Sequence, residues 1–341
     1  MYLDERKEKI LQAIVDDYIA SAEPVGSRAL IRKHDLGISA ATVRNEMADL
    51  EMLGYLEHIH TSSGRVPSSK GYRFYVDGLQ ISEVSPQEQK KIERWYKARV
   101  KRIDEVFQET AKLISEVTHN VTLLLAPEVG KAAFRCMHFL PLDEERAIAV
   151  LMTDAGFVEN KIMDMPCGAT FKDLQELAAV VNERLAGKTL PHIQKTAMRE
   201  IADAIADDNL YDAAAEIIES ALNSSKKERL YLGGGAYITE QPEFHDAEKI
   251  KDILLMLEEE ELIKDIMRSH LSDGLSVTIG EENEADRLKD CSMITASYHL
   301  GGELLGAMTV LGPRRMNYDK AMAILNYMNT NLSRVIGRFR W

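Results

Sequence analysis

Residues 39–75, SAATVRNEMADLEMLGYLEHIHTSSGRVPSSKGYRFY, restrict the possible folds of this chain more than any other stretch. Ser39 offers a side-chain oxygen to the free amides of a first helical turn, so a helix is expected to start behind it. Val43, Met47 and Leu50 then recur at i, i+4 and i+7 and mark one buried stripe. The opposite face carries Ala41, Thr42, Arg44, Asn45 and Ala48, a slim set of small and hydrogen-bonding side chains that suits a DNA major groove. Gly54 closes the helix, because a residue without Cβ enters the left-handed conformation at no steric cost. Residues 55–60 are rich in strand formers, the tetrad Thr61-Ser62-Ser63-Gly64 turns the chain, and Arg65-Val66 starts a return strand that Pro67 ends.

A polar helix face alone is also what a solvated helix presents, but the segment before it narrows the choice. Asp4 is placed to cap a first helix with apolar positions Ile10, Leu11, Ile14, Val15, Tyr18 and Ile19, and Ser27 to cap a second holding Ala29, Leu30 and Ile31. The turn His34-Asp35-Leu36-Gly37-Ile38 leads into Ser39. Three short helices followed by a hairpin describe a winged helix-turn-helix over residues 1–78. On that reading Thr42, Arg44 and Asn45 meet bases or the phosphates beside them, while Ser27, Arg28 and Ser39 sit at helix N-termini, where phosphate is favoured. Ser62, Ser63, Gly64 and Arg65 form the wing contact, Lys70 and Arg73 flank it as phosphate ligands, and Asp49 and Glu51 point away from the backbone.

Three runs also carry a family resemblance: VGSRALIRK (25–33), SAATVRNEMADLEMLGYLEHIHTSSGRVPSSKGYRFYVD (39–77) and LGPRRMNYDKAMAIL (311–325). With IGEEN (279–283) and CSMITASY (291–298), they resemble the bacterial heat-inducible transcription repressor HrcA family along essentially the whole chain. The resemblance implies a homodimeric repressor on double-stranded DNA, bound to an inverted-repeat operator upstream of chaperone operons and modulated by heat and by the chaperonin. It also implies an α+β multidomain fold, in which residues 85–128 and 229–341 form a GAF-like α/β domain and residues 129–228 an inserted α+β dimerisation domain.

Behind the hairpin, residues 69–77 read as a short helix and residues 78–84 as a connector. Ser85-Pro86 then opens a helix whose apolar stripe, from Ile92 through Trp95, Phe107 and Ile114 to Val117, is expected to run for roughly thirty residues. A helix over residues 318–336, with Leu325, Met328, Leu332 and Val335, is its expected partner. Residues 132–140, 146–152 and 157–163 read as strands, and helices are expected after Thr170 and over 191–206 and 210–223. A short, buried-looking strand at 230–232, a helix from Asp246, and strands at 275–279, 291–298 and 303–311 complete the second sheet.

The net charge of −13 is unusual for a DNA binder, so its distribution matters more than its sum. Residues 24–75 hold seven Lys/Arg against five Asp/Glu, whereas residues 240–290 hold six against sixteen. A weakly basic reading head on an acidic body needs two copies for useful affinity. The charged start MYLDERKEK and the lack of a long apolar run argue against a signal peptide or membrane span, so the expected location is the cytoplasm. Cys136, Cys167 and Cys291 lack the spacing of a disulfide framework or zinc site.

Gly233-Gly234-Gly235 lacks the lysine and spacing of a phosphate loop and reads as a close backbone approach. His58 and His60 lack a third ligand, and the acids 258–261 read as a solvated helix end. Neither a cofactor nor an enzyme activity is expected. The alternatives are a regulator that senses a small molecule through the GAF-like domain, and an enzyme carrying a winged-helix interaction module. Heat responsiveness follows from the family resemblance, and the 15 methionines with 6% aromatics suit an adaptable core.

Overall fold

The computed structural model describes residues 3–58, 64–99, 103–126, 133–154, 158–189, 192–193, 201, 205, 207–225, 228–244, 246–272, 274–300 and 303–336. The chain begins with a head of α1 (Glu5–Ser21), α2 (Ser27–Lys33), α3 (Ala40–Met52), the hairpin strands β1 (Leu56–His58) and β2 (Arg65–Pro67), and α4 (Ser69–Asp77). Asp4 caps α1 by accepting the Lys7 amide at 2.8 Å, as its sequence position suggested. At α2 the expectation fails. The cap is Gly26, and Ser27 is the first helical residue, buried within the head. Ile10, Leu11, Ile14, Leu30, Val43 and Leu50 pack together as the core of this head, each at 1% exposure or less.

Next come α5 (Pro86–Arg99) and α6 (Ile103–Thr118). The continuous helix expected from the apolar stripe is instead a pair of antiparallel helices. Lys91 bonds Glu116 at 2.6 Å and the Trp95 indole donates to Glu109 at 2.9 Å. In one straight helix, residues 25 positions apart would stand roughly 37 Å apart. The stripe was real, but it closes on itself.

The body is a five-stranded antiparallel sheet of β3 (Val121–Ala126), β7 (Arg229–Gly233), β8 (Leu275–Ile279), β9 (Cys291–Leu300) and β10 (Glu303–Pro313), in the order β7-β3-β10-β9-β8. Between β3 and β7 the chain forms a separate unit. It contains β4 (Phe134–Pro141), β5 (Arg146–Thr153), β6 (Val158–Asp164), α7 (Phe171–Leu185) and α8 (Asp208–Ser225). Its strands make an antiparallel β4-β5-β6 sheet with a core of its own, built from Phe134, Met137, Leu151, Leu174, Val181 and Ile218. Asp173 takes the Thr170 amide and hydroxyl, both at 2.7 Å, which fixes the start of α7. Most of the helix expected over 191–206 lies outside the described residues.

After β7 come a single turn α9 (Tyr237–Glu240), then α10 (Ala247–Glu258) and α11 (Glu260–Ser269), and after β10 the helix α12 (Tyr318–Ile336). Helices α6 and α12 cover one face of the large sheet and share the head's core, while α10 and α11 cover the other around Ile253, Met256, Ile263 and Met293. The strand expected to be buried at 230–232 is the edge strand β7, with Leu232 exposed. Gly233 sets its spacing, since an added Cβ would lie 2.4 Å from the Ala111 carbonyl oxygen of α6.

Candidate nucleic-acid interface

The exposed edge of the head is built around the start of α3. Ser39 Oγ accepts the Thr42 amide at 3.2 Å and lies 2.9 Å from the Thr42 hydroxyl, so one serine fixes both the first turn and a side chain on it. Val43, Met47 and Leu50 are buried, which turns Ala41, Arg44, Asn45 and Ala48 outward. Among the described residues no carboxylate pairs with Arg44, nor with Arg28 on α2. Arg32, one turn beyond Arg28 and likewise exposed, adds a cation that the sequence reading passed over. Its i+4 spacing from Arg28 was the available signal.

The acids of α3 are turned away from that edge. Glu46 accepts Lys7 at 2.7 Å and Arg6 at 3.1 Å from α1, and Asp49 stands 3.3 Å from Lys7. These pairs push the Lys7 ammonium upward and keep it charged, chiefly through the hydrogen bond to Glu46. Acidic side chains are thereby neutralised where they would repel a polyanion.

Behind α3 the chain reverses as its glycine demands. Gly54 has φ +78°, and the Tyr55 amide reaches back to the Leu50 carbonyl at 2.9 Å. Strands β1 and β2 pair with Leu56 opposite Pro67 and His58 opposite Arg65. Arg65 also exchanges backbone hydrogen bonds with Val25, at 2.9 and 3.0 Å, tying the hairpin base to the start of α2. Ser68 caps α4 through the Gly71 amide at 3.1 Å while donating to the Gly54 carbonyl at 2.6 Å.

Several expected contacts take different places. Gly64 is buried, and an added Cβ would stand 2.7 Å from the Pro24 backbone, so it serves close packing at the hairpin base. Arg65 donates to Glu51 at 2.7 Å and to the Gly64 carbonyl at 3.2 Å, and this ion pair braces α3 against the hairpin. Lys70, though exposed, donates to the Leu53 carbonyl at 2.8 Å and lies 4.4 Å from the centre of the Tyr55 ring, so it satisfies the end of α3. Arg73 faces the body, where the Glu282 carboxylate and the Val277 carbonyl hold it, the latter at 2.6 Å. The hydrogen bonds to Glu282 push its basicity up, so it is charged at every working pH. Ser62, Ser63 and His60 lie outside the described residues. Ser39, Thr42, Arg44 and Asn45 therefore share the first turns of α3 and Arg28 is exposed on α2, whereas Ser27 is buried and Arg73 is turned to the body.

Comparison with known proteins settles the lineage. The profile of the HrcA protein C terminal domain matches residues 104–322. The chain belongs to the HrcA family. A relative from Symbiobacterium thermophilum, named heat-inducible transcription repressor HrcA, is 41% identical over 334 residues, covering 97% of this chain and 98% of its own. One of the same name from Desulfitobacterium hafniense is 43% identical over 340 residues, covering 98% of each. These matches extend the HrcA relationship through the head, which lies outside the C-terminal profile. A crystal structure of a hypothetical protein, 22% identical, superposes with a TM-score of 0.70 over 99% of this chain and 100% of that one, and shares the fold.

Proposed function

We propose that this HrcA-family chain represses heat-shock genes as a homodimer whose two heads are winged helix-turn-helix modules lying on the halves of an inverted-repeat operator. The single observation that carries this reading is the polarity of α3. Arg44 and Asn45 are exposed on one side, where no carboxylate pairs with Arg44 among the described residues, while Glu46 and Asp49 are paired back onto α1. A helix with that division enters a major groove without bringing negative charge toward the phosphates. The five-stranded unit fits the GAF-like domain implied by the resemblance, and the unit between β3 and β7 fits the inserted domain.

Dimerisation through that inserted unit is supported by its uncovered sheet face. Leu140, Ile148 and Ile162 stand in register across β4, β5 and β6, and Leu140 and Ile162 are 51% and 59% exposed. Beside them run Val150 and then Met152 with Val158, while α7 and α8 close the opposite face. A two-fold partner laying the same face down would bury this row, and two-fold protein symmetry matches an inverted repeat. Control by heat and by the chaperonin, and action in the cytoplasm, complete the proposal on the strength of family membership.

The test is footprinting and anisotropy on a chaperone promoter carrying an inverted repeat, over a salt series. Protection of both half-sites with a steep salt dependence is expected. Equal affinity for the promoter and a scrambled duplex removes the assignment.

A further inference from the structure

The seam between the head and the five-stranded unit encloses a cleft of about 210 Å³. Tyr72 of α4 lines it from the head, and Glu243, Lys249, Asp290, Arg314 and Arg315 line it from the body. Its charges do not cancel. Arg315 pairs with Glu243 and Lys249 with Asp290, which leaves the Arg314 guanidinium with no carboxylate among the described residues. Arg314 Nη1 donates to Ser69 Oγ at 3.3 Å, at the first turn of α4, and its other donors meet no acceptor among the described residues.

Two further groups in this cleft are incompletely bonded. Tyr72 is 1% exposed, and its hydroxyl has no hydrogen-bond partner among the described residues. Burial pushes the phenol upward, so it is an O–H donor at neutral pH. Glu243 Oε2 is likewise buried with no partner among the described residues, its charge offset by Arg315 on the other oxygen. A guanidinium fork and a buried phenol donor, both on residues that line the one cleft, match the oxygens of a phosphate. The free acceptor on Glu243 asks for a proton on the same ligand. A DNA phosphodiester has no such proton, whereas inorganic phosphate and singly protonated phosphomonoesters do.

We propose that this cleft binds a small protonated phosphate, held by Arg314, Tyr72 and Glu243, and that occupancy fastens α4 and hence the head to the body. The occupant would bridge α4 to the loop after β10, reinforcing the Arg314 contact to Ser69. This goes beyond the reading of the chain as a DNA-binding repressor, and its test contains no DNA, so either can fail without the other.

Isothermal titration of the full chain with inorganic phosphate, at ionic strength held constant with chloride, should give saturable binding. Hydrogen exchange across residues 69–77 should slow as phosphate is added. Tyr72→Phe removes one oxygen and keeps the packing, so it should fold and bind phosphate at least tenfold more weakly. Arg314→Met should do the same, and dimethyl phosphate, which has no proton to give, should bind at least tenfold more weakly than phosphate. No saturable binding, or unchanged affinity in Tyr72→Phe, overturns the site. Binding with unaltered exchange in α4 overturns the fastening role.

Discussion

Arg44 and Lys70 are both exposed cations of the head, yet their surroundings assign them different work. Arg44 has no acceptor among the described residues, so its donors are available to a base edge or phosphate. Arg44→Ala should weaken operator binding by about 1–3 kcal/mol and narrow the gap between operator and scrambled DNA. Anisotropy titrations with both duplexes check this, and an unchanged gap would mean Arg44 reads no base. Lys70 is bonded to the Leu53 carbonyl and sits on Tyr55, so Lys70→Met should lower the melting temperature modestly and leave the slope of affinity against salt unaltered. Ser39→Ala should cost about 1 kcal/mol of head stability through loss of the cap, read from denaturant unfolding. Cys291 provides a pH-sensitive check, because burial pushes its thiol up to about 12. Its contribution to stability is complete below the unfolded thiol value, near 8.5, and is lost as pH rises toward about 12. At pH 8 iodoacetamide should therefore label the exposed Cys167 and spare Cys291 until the chain unfolds. What was legible at this scale was local. The Ser39 cap and the Gly54 reversal depend on neighbours within five positions, whereas Gly64 against Pro24 and Lys70 on Leu53 depend on chain returns that no short window contains.

At the scale of elements, the head is held to the body by side chains from distant parts of the sequence. Arg73 on α4 meets Glu282 behind β8, Arg315 behind β10 reaches the Ile19 carbonyl of α1 at 3.4 Å, and Gly280 lies beside Ser69 and Arg314 with φ +56°. An added Cβ on Gly280 would come within 2.3 Å of the Ser69 hydroxyl, which ties the end of β8 to the start of α4. Arg73 and Glu282 are partly exposed, so the pair is worth only about 1 kcal/mol after solvent screening. Arg73→Met and Glu282→Gln should each lower the melting temperature, and the double variant should melt no lower than the worse single one. Losses that simply add would show that the two side chains do not act on each other. The sequence suggested Arg73 as a phosphate ligand because it lies just beyond the hairpin with Lys70, and a partner 209 positions away leaves no trace in that stretch. The same blindness produced one long helix from α5 and α6. Periodicity reports which side of each helix is apolar, and it is unchanged when the second helix folds back onto the first.

For the whole molecule, the decisive feature is how the unit between β3 and β7 is attached. Ala126 at the end of β3 and Arg229 at the start of β7 are direct partners on adjacent antiparallel strands. The chain therefore leaves and re-enters the five-stranded sheet at one point, and the intervening unit has a hydrophobic core separate from that sheet's. Antiparallel neighbours can be joined by two residues in a tight turn, so Asn-Gly in place of residues 127–228, joining Ala126 directly to Arg229, should close the sheet without strain. The shortened chain should unfold cooperatively and keep the head docked through Arg73 and Arg314. It should also lose the Leu140, Ile148 and Ile162 face, and with it the pairing of heads. Sedimentation should then give a monomer, while operator affinity falls by at least tenfold and each half-site binds independently. A shortened chain that still sediments as a dimer would move the two-fold contact to another surface. One that is monomeric yet binds the full operator as tightly as the parent would remove the need for a paired head.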